Sequence, residues 1–109
     1  MIAETDRKKR PAMSENPENI AQIEAHRAQI DALDRQIVDL LNARARQSLA
    51  IRALKPGAGM NLYDPAREER IFQKLAVHNE GPLRDEDLRT VYETLLTVMR
   101  SVPAPESDR

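Results

Sequence analysis

Residues 17–55 read PENIAQIEAHRAQIDALDRQIVDLLNARARQSLAIRALK. Asn16 suits an N-cap and Pro17 a first helical position, and apolar residues then recur at helical spacing with no further glycine or proline. The pattern predicts one helix from about residue 17 to 55, which Pro56 ends. Such a helix would be about 57 Å long, whereas a compact chain of this size has a radius of gyration of about 13 Å. One copy of the chain therefore cannot cover it.

Two shorter helices are expected to follow a loop at residues 56–59. Asp64 and Pro65 form an N-cap and a first-turn proline, and residues 79–82, Asn-Glu-Gly-Pro, end that helix. The acidic residues 85–87 begin a third helix. Its apolar stripe is expected to comprise Leu88, Val91, Tyr92, Leu95, Val98, Met99 and Val102. Helices of about 38, 16 and 18 residues predict an all-α fold in which the long helices pair in an intertwined homodimer.

Composition limits the possible functions. The 109 residues carry a net charge of -1, are 40% hydrophobic and include only three aromatic residues, a composition that disfavours a nucleic-acid binder. Without cysteine and with two histidines, thiolate catalysis and a metal cluster are not expected. No apolar run is long enough for a membrane span, so we expect a cytoplasmic protein. Residues 1–15 are expected to be a disordered tail, residues 16–102 a helical domain, and residues 103–109 a flexible tail.

A cation interrupts the apolar seam of the long helix. Every seventh position of the seam reads Ile30, Ile37, Arg44, Ile51. A permanent charge on that face calls for an anionic partner. Lys55 returns to within about 20° of the same face, and Arg67 and Glu68 follow the loop. The arrangement predicts a pocket for a small dicarboxylate.

Each of these charged residues also has a purely structural explanation, in which it binds no ligand. Arg44 could pair with Glu68 or Asp39, and Arg27 with Glu24 or Asp31. Lys55 suits a helix C-terminus, and Asp64 suits a cap whatever else it does. Each residue alone favours the structural explanation, and only the joint pattern favours a ligand site.

Four cations and two acids, in this order and spacing, resemble the all-helical class of chorismate mutases. The set is Arg27, Arg44, Lys55, Asp64, Arg67 and Glu68. The resemblance covers residues 20 to about 100, and residues 79–83 resemble the second inter-helix link of members fused to prephenate dehydratase. It implies an isomerase of aromatic amino-acid biosynthesis, in the shikimate pathway, which converts chorismate to prephenate without a cofactor.

The resemblance also implies an interlocked homodimer with two active sites. Arg44 and the partner subunit's Arg27 would bind the two carboxylates of chorismate. Lys55 would contact a carboxylate and the ether oxygen, and Glu68 would accept a hydrogen bond from the ring hydroxyl. Asp64 and Arg67 would line or brace the pocket.

The third helix departs from the family pattern. Met99 stands where a serine usually touches a substrate carboxylate, and Pro103 where a glutamine or glutamate contacts the ether oxygen. By simple periodicity, none of the nearby polar residues lies on the expected face: Thr97, Arg100, Ser101 and Glu106. We therefore expect Lys55 to act without its usual partner from this helix.

Three alternatives remain open at the level of sequence. An isochorismate-pyruvate lyase has a similar fold and similar cations. A non-catalytic helical dimer would bind a ligand without turning it over. A weak mutase activated by a partner, such as the first-step synthase of the shikimate pathway, would fit the altered third helix.

Overall fold

The computed structural model describes residues 16–54 and 64–104, which form three helices and no strand. They are α1 (Pro17–Leu54), α2 (Pro65–His78) and α3 (Asp85–Arg100). The prediction of an all-α chain with one very long helix is confirmed, and α2 and α3 have 14 and 16 residues, slightly fewer than expected. No helix in these two ranges is long and apolar enough to cross a membrane. Lys55, the predicted loop at residues 56–59 and most of both predicted tails lie outside the described residues.

The first turn of α1 is capped as its sequence predicts. Asn16 Oδ1 accepts a hydrogen bond from the Glu18 N–H at 2.7 Å, and the Asn16 carbonyl accepts one from the Ile20 N–H at 2.9 Å. The first bond satisfies an amide donor that a helix start leaves without a partner, and the second is the first regular hydrogen bond of the helix. Asn16 and Pro17 thus define where α1 begins.

The chain divides into two units, and the boundary lies within α1, between Leu41 and Asn42. The described part of the first unit is helical throughout, and its apolar side chains remain about half exposed. They are Ile20, Ile23, Ile30, Leu33, Ile37, Val38 and Leu40. An apolar stripe of this length left open to solvent is the type of surface that a protein partner covers.

The second unit is built on the packing of α2 against α3. Leu96 and Met99 of α3 are its buried side chains among the described residues, at 6% and 8% exposure. The half-buried apolar residues of the two helices are Ile71, Phe72 and Leu75 of α2, and Leu88, Tyr92 and Leu95 of α3. Met99, which the sequence places in the apolar stripe of the third helix, is thus a core residue.

The predicted α3 stripe is wider than the face that α2 covers. Val91 and Val98 are 57% and 54% exposed, and Val102 lies beyond the end of the helix, which is capped by Ser101. Because one neighbouring helix covers only a narrow face, residues at the margins of a broad stripe stay in solvent. The expected stripe is therefore exposed at Val91 and Val98, while Val102, past the helix end, is half-buried.

The turn between α2 and α3 is organised by one side chain. Asn79 Nδ2 donates to the Leu83 carbonyl at 2.9 Å and to Asp85 Oδ1 at 2.7 Å, while Asn79 Oδ1 accepts from the Gly81 N–H at 3.0 Å. Gly81 has a φ of 79°, in the left-handed region that glycine adopts without steric cost. The predicted end of α2 at this sequence is confirmed.

Arg89 of α3 joins the two helices from the surface. Its guanidinium lies 4.0 Å from the centre of the Phe72 ring, and it pairs with Glu69 of α2 at 3.2 Å and with Glu93 at 3.4 Å. The hydrogen bond with Glu69 raises the pKa of Arg89 above its ordinary value. Arg89 is therefore a permanent cation that holds α2 beside α3.

Candidate functional site

Asp64 positions the start of α2. Its Oδ1 accepts a hydrogen bond from the Arg67 N–H at 3.0 Å, and its carbonyl accepts from the Glu68 N–H at 3.0 Å. The predicted cap is confirmed, with Pro65 at the first helical position. Because Glu68 lies in this first turn, the cap determines where the Glu68 carboxylate is presented.

Glu68 forms a short ion pair with the end of α3. Arg100 Nη1 donates to Glu68 Oε2 at 2.6 Å, and Arg100 Nη2 donates to Thr97 Oγ1 at 3.2 Å. The two side chains are 31% and 19% exposed, whereas both members of every other ion pair in the described ranges are at least 46% exposed. The pair is thus partly withdrawn from solvent, where charge interactions are stronger than at the surface.

The end of α3 is held by an arginine from α1. Arg52 Nη1 donates to the Val102 carbonyl at 2.7 Å, and Nη2 donates to the carbonyls of Met99 and Arg100 at 3.4 and 3.3 Å. A cation at these carbonyls satisfies acceptors that the helix end leaves open and interacts favourably with its dipole. Arg52 Nε is buried without a hydrogen-bond partner in the described chain, which offsets part of this gain.

Arg44 is half-buried and has no carboxylate partner among the described residues. The structural alternative, a pair with Glu68 or Asp39, is therefore wrong for this part of the chain, since Glu68 pairs with Arg100. Arg44 and Arg52 are eight residues apart on α1 and face within about 80° of each other. A half-buried guanidinium without an acidic partner fits a site for an anionic ligand.

The remaining candidates are more exposed or outside the described ranges. Arg27 pairs with Glu24 at 3.5 Å, with both side chains about two-thirds exposed, as the structural alternative predicted. Arg67 is exposed and contributes its backbone N–H to the Asp64 cap. Lys55 lies outside the described residues, so its predicted role stays a prediction.

Two cations were not identified as site residues from the sequence. By periodicity Arg100 was expected to lie off the face that contacts substrate, and in the structure its guanidinium reaches Glu68, one of the candidate residues. Helical periodicity predicts the direction of the Cα–Cβ bond but not the position of the guanidinium. A long, flexible arginine side chain can place that group beside a neighbouring face of the helix. Arg52 did carry a signal, since the i+4 series Arg44, Ser48, Arg52 runs along one face of α1.

The second unit carries candidate charges of both signs, Arg44 on α1, Glu68 on α2 and Arg100 on α3. Glu68 presents a carboxylate of which Oε2 is occupied by Arg100, and Arg44 presents a guanidinium suited to bidentate carboxylate binding. Groups of histidine, cysteine and acidic residues able to hold a metal ion are absent from residues 16–54 and 64–104. Taken one by one, the Arg44 guanidinium suits an anionic group, and the second oxygen of Glu68 can accept a hydrogen bond from a hydroxyl group.

Known proteins are similar to this chain in sequence and in fold. A family model described as chorismate mutase type II matches residues 26–103. The bifunctional chorismate mutase/prephenate dehydratase of Neisseria gonorrhoeae is 36% identical over 80 residues, and that of Aquifex aeolicus is 31% identical over 80 residues. These alignments cover 73% and 70% of this chain, and the chain spans 22% of the length of each relative.

Solved structures agree with the sequence comparison. Form II of chorismate mutase from Thermus thermophilus is 33% identical, with a TM-score of 0.69 over 72% of this chain and 89% of its own. Form I gives a TM-score of 0.68, with 33% identity over 72% of this chain and 98% of its own. Because the family match spans most of the chain and includes every candidate residue, the chain belongs to the chorismate mutase type II family.

Proposed function

We propose that this protein is a chorismate mutase, an isomerase that converts chorismate to prephenate. The observation that carries the proposal is the type II family match over residues 26–103, a range that contains all six candidate residues. A half-buried Arg44 without a carboxylate partner in the described chain supports an anionic ligand at this site. A role in aromatic amino-acid synthesis and a cytoplasmic location belong to the same proposal.

The reaction needs little beyond binding and charge stabilisation. It is a unimolecular rearrangement without a covalent intermediate or proton transfer, so the catalyst must hold the reactive conformer and stabilise charge as the ether bond breaks. Arg44 is assigned to a substrate carboxylate, Glu68 to the ring hydroxyl, and Lys55 to a carboxylate and the ether oxygen. Asp64 and Arg67 are assigned to the pocket wall.

The proposed enzyme is a homodimer in which the partner subunit's Arg27 completes each site. The half-exposed apolar residues of α1 support an association between copies, because a second α1 would bury that stripe. Arg27 itself is exposed and makes only a surface pair with Glu24, so its guanidinium is accessible to a ligand bound by the other subunit.

The test is the disappearance of chorismate absorbance with purified protein, together with chemical confirmation of prephenate. Arg44→Gln is expected to lower kcat/KM by about 100-fold or more, in the range of a lost charge-stabilising contact. Arg46→Gln is the matched control, since this exposed arginine lies two residues along α1, and its activity should equal that of the unaltered protein. Full activity in Arg44→Gln or in Lys55→Ala would contradict the mechanism.

A second candidate is a mutase of low intrinsic rate that a shikimate-pathway enzyme activates. Two residues near the end of α3 favour it. Met99 is only 8% exposed, and neither its side chain nor that of Pro103 can donate a hydrogen bond to a ligand. Adding the first-step synthase should then raise the rate, and an unchanged rate would count against this candidate. The same assay with isochorismate tests the lyase, which would release salicylate and pyruvate.

A further inference from the structure

Arg100 and Glu68 form the shortest ion pair among the described residues, with 2.6 Å between Nη1 and Oε2. Both ends are held in place. The Asp64 cap sets the first turn of α2, which carries Glu68, and Arg52 holds the carbonyls of Met99 and Arg100 in the last turn of α3. The helix ends that carry the two side chains are therefore each fixed by other hydrogen bonds, unlike those of a typical surface ion pair.

We propose that Arg100 is a positioning residue, which holds the Glu68 carboxylate in place for the substrate hydroxyl and neutralises its charge. This inference rests on the proposed mutase function. Arg100 occupies Oε2, so Oε1 retains lone pairs with which Glu68 accepts a hydrogen bond from a hydroxyl group. One carboxylate thus serves both partners at once.

Charge neutralisation matters because the proposed substrate is a dianion. An uncompensated Glu68 carboxylate near two substrate carboxylates would oppose binding, more strongly because its side chain is only 19% exposed. A guanidinium on Oε2 cancels that charge and leaves the hydrogen-bonding oxygen in place. The end of α3 thereby contributes to the site through Glu68, although Met99 is turned into the core.

The decisive experiment is a double-mutant cycle between the two residues. KM and kcat for chorismate are measured for the unaltered protein, Arg100→Gln, Glu68→Gln and the double variant. Arg100→Gln should lower kcat/KM by about tenfold, mostly through KM, the scale of coupling expected between directly contacting charges. In the Glu68→Gln background the same change should have an effect of less than about twofold, because the charge that Arg100 balances is gone.

Salt provides a readout that a purely structural role would not change. If Glu68 repels the substrate once Arg100 is lost, added salt should screen that repulsion and reduce the KM penalty of Arg100→Gln relative to the unaltered protein. Arg84→Gln is the matched control. Arg84 also pairs with two acids on α3, Glu86 and Asp87, but those pairs lie exposed at the other end of the helix, so KM should not change.

Circular dichroism and thermal unfolding establish that each variant is folded. If Arg100→Gln does not fold, Arg100→Lys takes its place in the cycle, since lysine retains the charge but not the planar fork and should give a smaller penalty that again requires Glu68. Normal kinetics in the Arg100 variant, or an equal loss with and without Glu68, would overturn the inference while leaving the mutase proposal intact. Absence of prephenate with the unaltered protein would overturn both.

Discussion

The guanidinium of Arg89 lies 4.0 Å from the centre of the Phe72 ring and pairs with Glu69 of the same helix as that ring. We expect Arg89→Gln to lower the thermal midpoint by a few degrees, because it removes both the cation–π contact and the ion pair between α2 and α3. The thermal midpoint of Arg89→Lys should lie between those of the unaltered protein and Arg89→Gln. Thermal unfolding at low and high salt measures the change, and an unchanged midpoint in Arg89→Gln would contradict the role assigned to this contact.

Arg52→Met is expected to destabilise the fold by about 1.5–3 kcal/mol, the range for hydrogen bonds to a charged group. Methionine keeps an unbranched side chain but cannot donate to the carbonyls of Met99, Arg100 and Val102. Urea unfolding gives the free energy of unfolding. Arg46→Met, at an exposed position of α1, is the control and should change it by less than about 0.5 kcal/mol.

Asp64→Ala should cost about 1 kcal/mol, the usual loss for a helix N-cap. Asp64→Ser retains an oxygen that accepts from the Arg67 N–H and should keep most of the stability. Comparing kcat/KM in the two variants separates capping from ligand binding. If Asp64 also lines the pocket, the serine variant will be stable but less active; equal activity in the serine and unaltered proteins would limit Asp64 to its cap.

Gly81→Ala should destabilise the α2–α3 turn by about 1–2 kcal/mol, the cost of a left-handed conformation for an L-residue with a Cβ. Apart from the glycine and its two chain neighbours, no atom of the described residues lies within 4 Å of the position that a Cβ would occupy, so the cost comes from the backbone and not from a clash. Gly81→Asn tests this directly, because asparagine tolerates the φ of 79° better than alanine. Equal unfolding free energies for the two variants would contradict the explanation.

Arg27→Ala and Arg44→Ala provide a test of sites shared between subunits. Each variant alone should be inactive. Mixed in equal amounts, unfolded and refolded together, they should recover about one quarter of the unaltered activity, because half of the dimers are mixed and each of these has one intact site. Size-exclusion chromatography confirms the oligomeric state, and no recovery from verified mixed dimers would mean that the site is not shared.

Local sequence signals predicted most of the fold. Pro17 and Pro65 mark the first helical positions of α1 and α2, Asp64 caps α2, and Asn79 with Gly81 ends it, all as expected. Such signals are readable because a cap or a turn is satisfied by residues a few positions away. The extent to which each helix face is covered was less predictable, since Val91 and Val98 show the same periodicity as their packed neighbours yet stay exposed.

The candidate site was only partly predictable, and for a different reason. The Asp64 cap follows from the local sequence and Glu68 was a candidate through the family resemblance, but the pairing of Glu68 with Arg100 joins residues 32 positions apart. Several carboxylates are available to every arginine in a chain with 17 basic and 18 acidic residues, so sequence alone does not select the partner. Arg44 shows the opposite case, because sequence offered it two carboxylates and it pairs with neither of them in the described residues.

The hydrogen bonds of Arg52 link residues 47 to 50 positions apart, a greater separation than that of the Glu68–Arg100 bond. Helices form from neighbouring residues within about a microsecond, whereas a contact between distant residues must first overcome the entropy of closing the intervening loop. The last turn of α3 should therefore acquire its native environment late in folding. In native-state hydrogen exchange, its amides should open at lower free energy than those around the buried Leu96.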